Sequence, residues 1–174
     1  MTHVITPAMR KMPTSAPFPV PVRLALAILP VIAASGLGGL ATQAGLTVWY
    51  AGLTRPSFTP PNWVFGPVWT VLFAMIAWSA YRVLSLVPGT PGRTAALWAY
   101  GAQLVLNTAW SFAFFWLQST LAGLLVIVPL LASILVTIRL FWPLDRLAGG
   151  LLVPYAAWVS YATALNVALW WLNR

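Results

Sequence analysis

Indole rings and carboxamides recur at helical spacing in this chain, and they are its most chemically versatile side chains. Gln103 and Asn107 lie four apart and share one helical face, which Trp110 and Ser111 continue. Trp158, Ala162 and Asn166 repeat the interval of four further on, and Trp69, Phe73 and Ile76 form a stripe upstream. Turned toward one another, three such faces line a hollow with aromatic walls and a few amides to orient a guest, the usual make-up of a small-molecule site. The same residues have a purely structural use. Amides bond across helices to hold them together, and tryptophans at helical spacing pack. A proline-stiffened segment with Trp49, Tyr50, Arg55 and Phe58 would make a lid for the hollow, or supply part of an interfacial aromatic belt.

Other reactive groups are scarce. The chain has a single histidine, His3, a single acid, Asp145, and no cysteine. Two-carboxylate hydrolysis, a zinc site and thiolate chemistry therefore lack their components. No base lies within the apolar runs to activate a serine. Asp145, beside Arg146, is expected to form a loop salt bridge or to cap a helix. Gly36, Gly38 and Gly39 lack the strand-then-helix setting of a dinucleotide loop. Ala34 with Gly38, or Ser35 with Gly39, read instead as close-packing pairs.

The elements that must position these residues are membrane helices. The sequence is 61% hydrophobic and only 6% charged, whereas soluble domains carry about 25% charged residues; lipid contact has to replace the missing charge. The apolar runs predict one domain, an all-α bundle of five transmembrane helices at about 23–44, 63–84, 94–117, 121–142 and 147–172. Residues 45–62 read as a loop, broken by Arg55-Pro56, Pro60-Pro61 and Asn62. The short stretch from Gln118 to Thr120 makes the third and fourth spans antiparallel neighbours, and Pro129 is expected to kink the fourth. Residues 1–22, with five prolines, Arg10 and Lys11, read as a flexible basic tail, leaving 23–174 as the bundle. A signal peptide is the competing reading, but the run from Leu24 to about Ala44 is long for its apolar region.

The nine basic residues are scattered between apolar runs, which suits topology better than nucleic-acid binding. Arg10, Lys11, Arg23, Arg82, Arg93, Arg139 and Arg146 fall on one side of a five-span arrangement and Arg55 and Arg174 on the other. That asymmetry predicts a cytoplasmic N-terminus in a plasma membrane. No span has an ionisable group at its centre of the kind a proton-coupled pump uses. Ala95, Ala99 and Ala102, with Gly101 nearby, form a small-residue stripe on the third helix that would suit a dimer seam.

Taken in order, Trp49-Tyr50, Leu53, Arg55-Pro56, Phe58, Pro60-Pro61, Trp63-Val64-Phe65, Pro67 and Trp69 resemble the first-loop and second-helix signature of the TspO/MBR family of tryptophan-rich sensory and translocator proteins. Tyr100, Gln103, Asn107, Trp110, Phe114 and Phe115 are similar to its third-helix pattern. Asp145, Ala148, Pro154, Tyr155, Trp158, Ala162, Leu165 and Asn166 are similar to its fifth. The resemblance implies a five-helix bacterial membrane protein, often a homodimer, with a pocket open toward the first loop. It implies tetrapyrrole ligands such as protoporphyrin IX and haem, besides cholesterol-like and isoquinoline carboxamide ligands, and no required cofactor. The ligand-binding set it points to is Trp49, Arg55, Phe58, Trp69, Phe73, Gln103, Asn107, Trp110, Trp158, Ala162 and Asn166. Trp69 and Trp158 match pocket tryptophans implicated in porphyrin photochemistry, which makes them the candidates for any catalysis. Arg55 stands where Lys is common, Phe73 where Tyr is common, and Tyr161 where a small residue is usual beside the sterol-recognition region. Three functions are thus in view: a tetrapyrrole sensor or carrier, a light-dependent porphyrin-degrading enzyme, and a regulatory or scaffold membrane subunit.

Overall fold

Helix formation follows the apolar runs closely. A computed structural model describes residues 18–174; His3, Arg10, Lys11 and most of the expected tail lie outside the described residues. Helix α1 spans Val20–Gly45, α2 Asn62–Leu84, α3 Arg93–Ser111, α4 Thr120–Phe141, α5 Arg146–Leu151 and α6 Val153–Leu172. No strand occurs among the described residues. Helix α1 begins three residues before the expected span, with a proline in its first turn, where a missing N–H costs nothing. Ser119 caps α4, its side chain accepting from the Ala122 amide at 3.1 Å.

Two departures from the sequence expectation matter for the site. The first helix does not stop before the loop: Leu46–Tyr50 continues it as a π-helical turn, and α3 gains a similar turn at Phe112–Trp116. Trp49 and Tyr50 are therefore helical rather than loop residues. Widened turns of this kind carry no residue-type signature and are shaped by tertiary contact. The contact here is the approach of α1 to the end of α3, where a Cβ added at Gly45 would run into the Phe115 carbonyl. The second departure is in the fifth run, which breaks at Leu152 into α5 and α6. Pro154 sits in the first turn of α6 and has no N–H to offer the Gly150 carbonyl one turn back.

Around the bundle, α1 lies between α2 and α3, α3 packs on α4, α4 on α6, and α5 closes the ring against α2. Ser79 Oγ donates to the Ala148 carbonyl at 2.7 Å across the α2–α5 contact. Helix α2 meets α6 only sparsely. Of the alternative glycine pairings in α1, Ala34 with Gly38 is buried, Gly38 facing Ser111, while Ser35 and Gly39 are exposed. Arg23, Arg82, Arg93, Arg139 and Arg146 gather at the end of the bundle where α1 starts, and Arg55 and Arg174 at the other. Four helical stretches are long and apolar enough to cross a membrane: Val20–Tyr50, Asn62–Leu84, Thr120–Phe141 and Arg146–Leu172. The molecule is an all-helical, multi-pass integral membrane protein. Helix α3 has comparable length but carries Gln103, Asn107 and Ser111 on its buried face, which lowers its average hydropathy.

Candidate functional site

At the end of the bundle opposite the arginine-rich one, aromatic side chains from α2, α6 and the 53–61 loop meet. Trp69 packs edge-on to Tyr155 with centroids 6.1 Å apart and tilts against Phe73 at 5.4 Å. Phe65 meets Trp158 edge-on at 5.8 Å, Trp158 lies 5.7 Å from Tyr161, and Tyr161 lies 6.3 Å from Phe58 of the loop. The Tyr161 hydroxyl donates to the Phe58 carbonyl at 2.6 Å and so fastens the loop down. Trp69, Phe73, Trp158 and Ala162 are half-buried against the same core, while Ile76, on the stripe with Trp69, is fully buried within it. Phe73 also borders an outer groove between α1 and α2.

The amides divide by role. Asn107, 4% exposed, donates to the Tyr155 hydroxyl at 3.0 Å, joining α3 to α6. Asn166, 1% exposed, accepts from the Trp110 indole N–H at 3.2 Å and donates to the Thr120 carbonyl at 2.8 Å. It thereby ties α3, α4 and α6 at one point. Gly123 gives it room, since a Cβ there would sit 2.9 Å from the Asn166 amide oxygen and 2.6 Å from the Phe114 ring. Both asparagines thus hold helices together. Gln103, 1% exposed, does not: its amide oxygen and nitrogen have no hydrogen-bond partner among the described residues. An unpaired amide in a membrane core is costly and uncommon.

Trp49 belongs to a second, neighbouring cluster. It packs edge-on to Phe114 at 5.2 Å, with Tyr50 and Phe115 beside it, and Trp110, stacked on Phe114 at 5.5 Å, borders both clusters. Arg55 is exposed, with its guanidinium carbon 5.9 Å from the Tyr50 ring centre. No acidic side chain is near enough to neutralise it, because Asp145, the only acid, is paired at the opposite end. Arg55, Pro56, Thr59 and Trp63 contribute to an open hollow of about 740 Å³ on the loop. The loop is clamped a second time by Asn173: its side-chain oxygen accepts from the Thr54 amide at 2.9 Å, and its side-chain nitrogen lies 3.0 Å from the Thr54 carbonyl.

Sequence spacing puts Trp69 and Trp158 on faces that pack against one core, and Trp110 and Asn166 on helices where they bond. It misses Phe65, Tyr155 and Tyr161 as site members. Tyr155 is the most informative omission, being fully buried and in contact with both Trp69 and Asn107. The signal was present, since Tyr155 lies three residues before Trp158 and so on a neighbouring part of the same face.

The chain is 39% identical over 151 residues to the tryptophan-rich protein TspO of Archaeoglobus fulgidus, covering 87% of this chain and 97% of that protein. It is 38% identical over 125 residues to a tryptophan-rich sensory protein of Cereibacter sphaeroides, covering 72% and 77%. It is 36% identical over 123 residues to the human translocator protein, covering 70% and 73%. The TspO/MBR family profile matches residues 26–172, from the first helix to the end of α6; with the tryptophan-lined helical bundle and these relatives, that match makes the chain a member of the TspO/MBR family.

Proposed function

We propose that this protein is a membrane sensor or carrier that binds a tetrapyrrole, such as protoporphyrin IX or haem, between α2, α6 and the 53–61 loop. The observation that carries the reading is the run of aromatic rings from Phe58 through Tyr161 and Trp158 to Phe65, with Trp69 and Tyr155 behind, and on the same loop as Phe58 an Arg55 that no acidic side chain neutralises. A flat macrocycle stacks on indole faces, and a propionate suits a guanidinium. The sparse contact between α2 and α6 leaves these rings as the main filling there, so a guest needs to move side chains more than backbone. The unpaired Gln103 amide supplies an additional donor and acceptor within the bundle. Relatives named as sensory and translocator proteins agree with a sensing or carrying role.

In this reading the chain crosses the bilayer five times. Helix α3 lies between α1 and α4, both apolar enough to span, and its polar residues face inward. The arginine-rich end is cytoplasmic, and two copies pair through the small-residue face of α3.

Quenching of tryptophan fluorescence by protoporphyrin IX, titrated in the dark, tests the binding reading. Saturable quenching is expected, weakened about fivefold to tenfold by Trp158→Leu. Arg55→Gln is expected to weaken it about threefold at low salt and less at high salt. Quenching that rises linearly without saturation, or that ignores both substitutions, would overturn it.

A further inference from the structure

On the face of α2 that adjoins the aromatic seam and shares Phe73 with it, α1 and α2 enclose an open groove of about 610 Å³. Ala27, Val31 and Gly36 line it from α1, and Phe73, Ala77 and Tyr81 from α2, so it is apolar along nearly all its length. From Leu24 to Gly36 it runs roughly 18 Å along α1 at the helical rise. That is on the order of one leaflet of a ~30 Å hydrocarbon core. Trp78 stacks on Tyr81 at 5.3 Å and extends the wall outward.

One end of the groove is charged. Arg23 precedes Leu24, and its guanidinium carbon stands 5.7 Å from the Tyr81 ring centre. Its Nε is buried and has no hydrogen-bond partner among the described residues. No acidic side chain can serve it: the chain has one, Asp145, and Arg82 holds that carboxylate at 2.7 Å. A desolvated, unpaired guanidinium N–H at the head of a leaflet-long apolar channel complements an amphiphile with an anionic head.

We propose that this groove holds one acyl chain of an anionic phospholipid from the leaflet at the arginine-rich end, with its phosphate on Arg23. The lipid caps the buried Nε, and its chain covers the seam between α1 and α2. Net negative headgroups are favoured over zwitterionic ones because the end of the bundle around Arg23 has an excess of positive charge.

Native mass spectrometry of the full chain in detergent, titrated with phosphatidylglycerol and phosphatidylcholine of matched chains, tests this. Phosphatidylglycerol is expected to bind about fivefold more tightly. Arg23→Gln should erase the preference, Arg23→Lys should keep part of it, and Ala77→Phe, which fills the groove, should weaken both lipids. Protoporphyrin quenching serves as the fold control and should be unchanged in all three variants, so failure of the tetrapyrrole reading and failure of this one are separable. Preference that persists in Arg23→Gln, or lipid binding untouched by Ala77→Phe, overturns the proposal. So does loss of a dimer in Ala77→Phe with lipid binding intact, which would make the groove a contact between copies.

Discussion

Asp145 shows how much a single side chain has to do where charges are this few. Its carboxylate takes Arg82 Nη2 at 2.7 Å and Nε at 2.8 Å, from 63 positions away, and accepts the Ala148 amide at 2.9 Å as the cap of α5. The sequence suggested the cap and a loop salt bridge with Arg146 in view; the ion pair is instead with Arg82, which no local pattern could reveal because α2 and α5 meet only in the fold. Partial burial by itself would raise the Asp145 pKa; hydrogen bonds from Arg82 and the Ala148 amide, with the Arg82 charge, outweigh it and hold the carboxyl below its ordinary value. A depressed folded-state pKa gives stability that is present above the unfolded value and lost as pH falls through the folded one. The unfolding temperature in detergent is therefore expected to be level from neutrality to about pH 5 and to fall below about pH 4. Asp145→Asn retains a capping oxygen but loses the charge, so it should cost about 1 kcal/mol at neutral pH and flatten the acid limb. Because Asp145 is the only acidic side chain, an equal acid limb in wild type and variant would refute the assignment.

The loop is held as an element by two side chains that reach it from α6 and from the residue after it. Tyr161 bonds the Phe58 carbonyl and Asn173 brackets Thr54, while Pro56, Pro60 and Pro61 restrict what lies between. Removing one strap should lower the free energy of local opening by about 1 kcal/mol. Tyr161→Phe keeps the ring contacts with Phe58 and Trp158 but loses the hydroxyl. Hydrogen–deuterium exchange across residues 53–61 is expected to quicken about fivefold in this variant, and unchanged exchange would show that the strap bears no load. The stiffness of this loop was legible from its prolines, and the long apolar helices were legible to within a few residues. What stayed hidden was tertiary. The π-helical turns that carry Trp49 and Phe114 depend on how closely α1 approaches α3, and the straps depend on α6 standing beside the loop. The paired asparagines were placed on inward faces correctly, but whether an inward amide binds a helix or waits for a guest depends on partners that spacing does not supply.

At the scale of the whole molecule, tryptophan use follows depth in the membrane. Trp63, Trp116 and Trp171 are exposed at the loop end, and Trp78, Trp98 and Trp142 toward the other. Along α3 and its π turn, Trp98 and Trp116 are roughly 27 Å apart at the helical rise, close to the ~30 Å of a hydrocarbon core. Six of the eleven indoles thus form two belts, which is the structural use anticipated for surface aromatics, and Trp69, Trp110 and Trp158 are set apart by turning inward. Helix α3 belongs to both patterns. Its inner face bears the amides, while its outer face exposes Ala95 and Ala102 around Trp98, with open space beside Gly101. Small residues facing lipid let a second helix approach closely enough for backbone packing. If two copies pair there, Ala102→Trp should turn the dimer into a monomer in detergent by light scattering. The substitution touches no buried contact within the bundle, so the melting temperature of the monomer and the dark quenching by protoporphyrin should stay as in wild type. A dimer that survives the substitution would place the seam on another helix and leave the α3 surface to lipid.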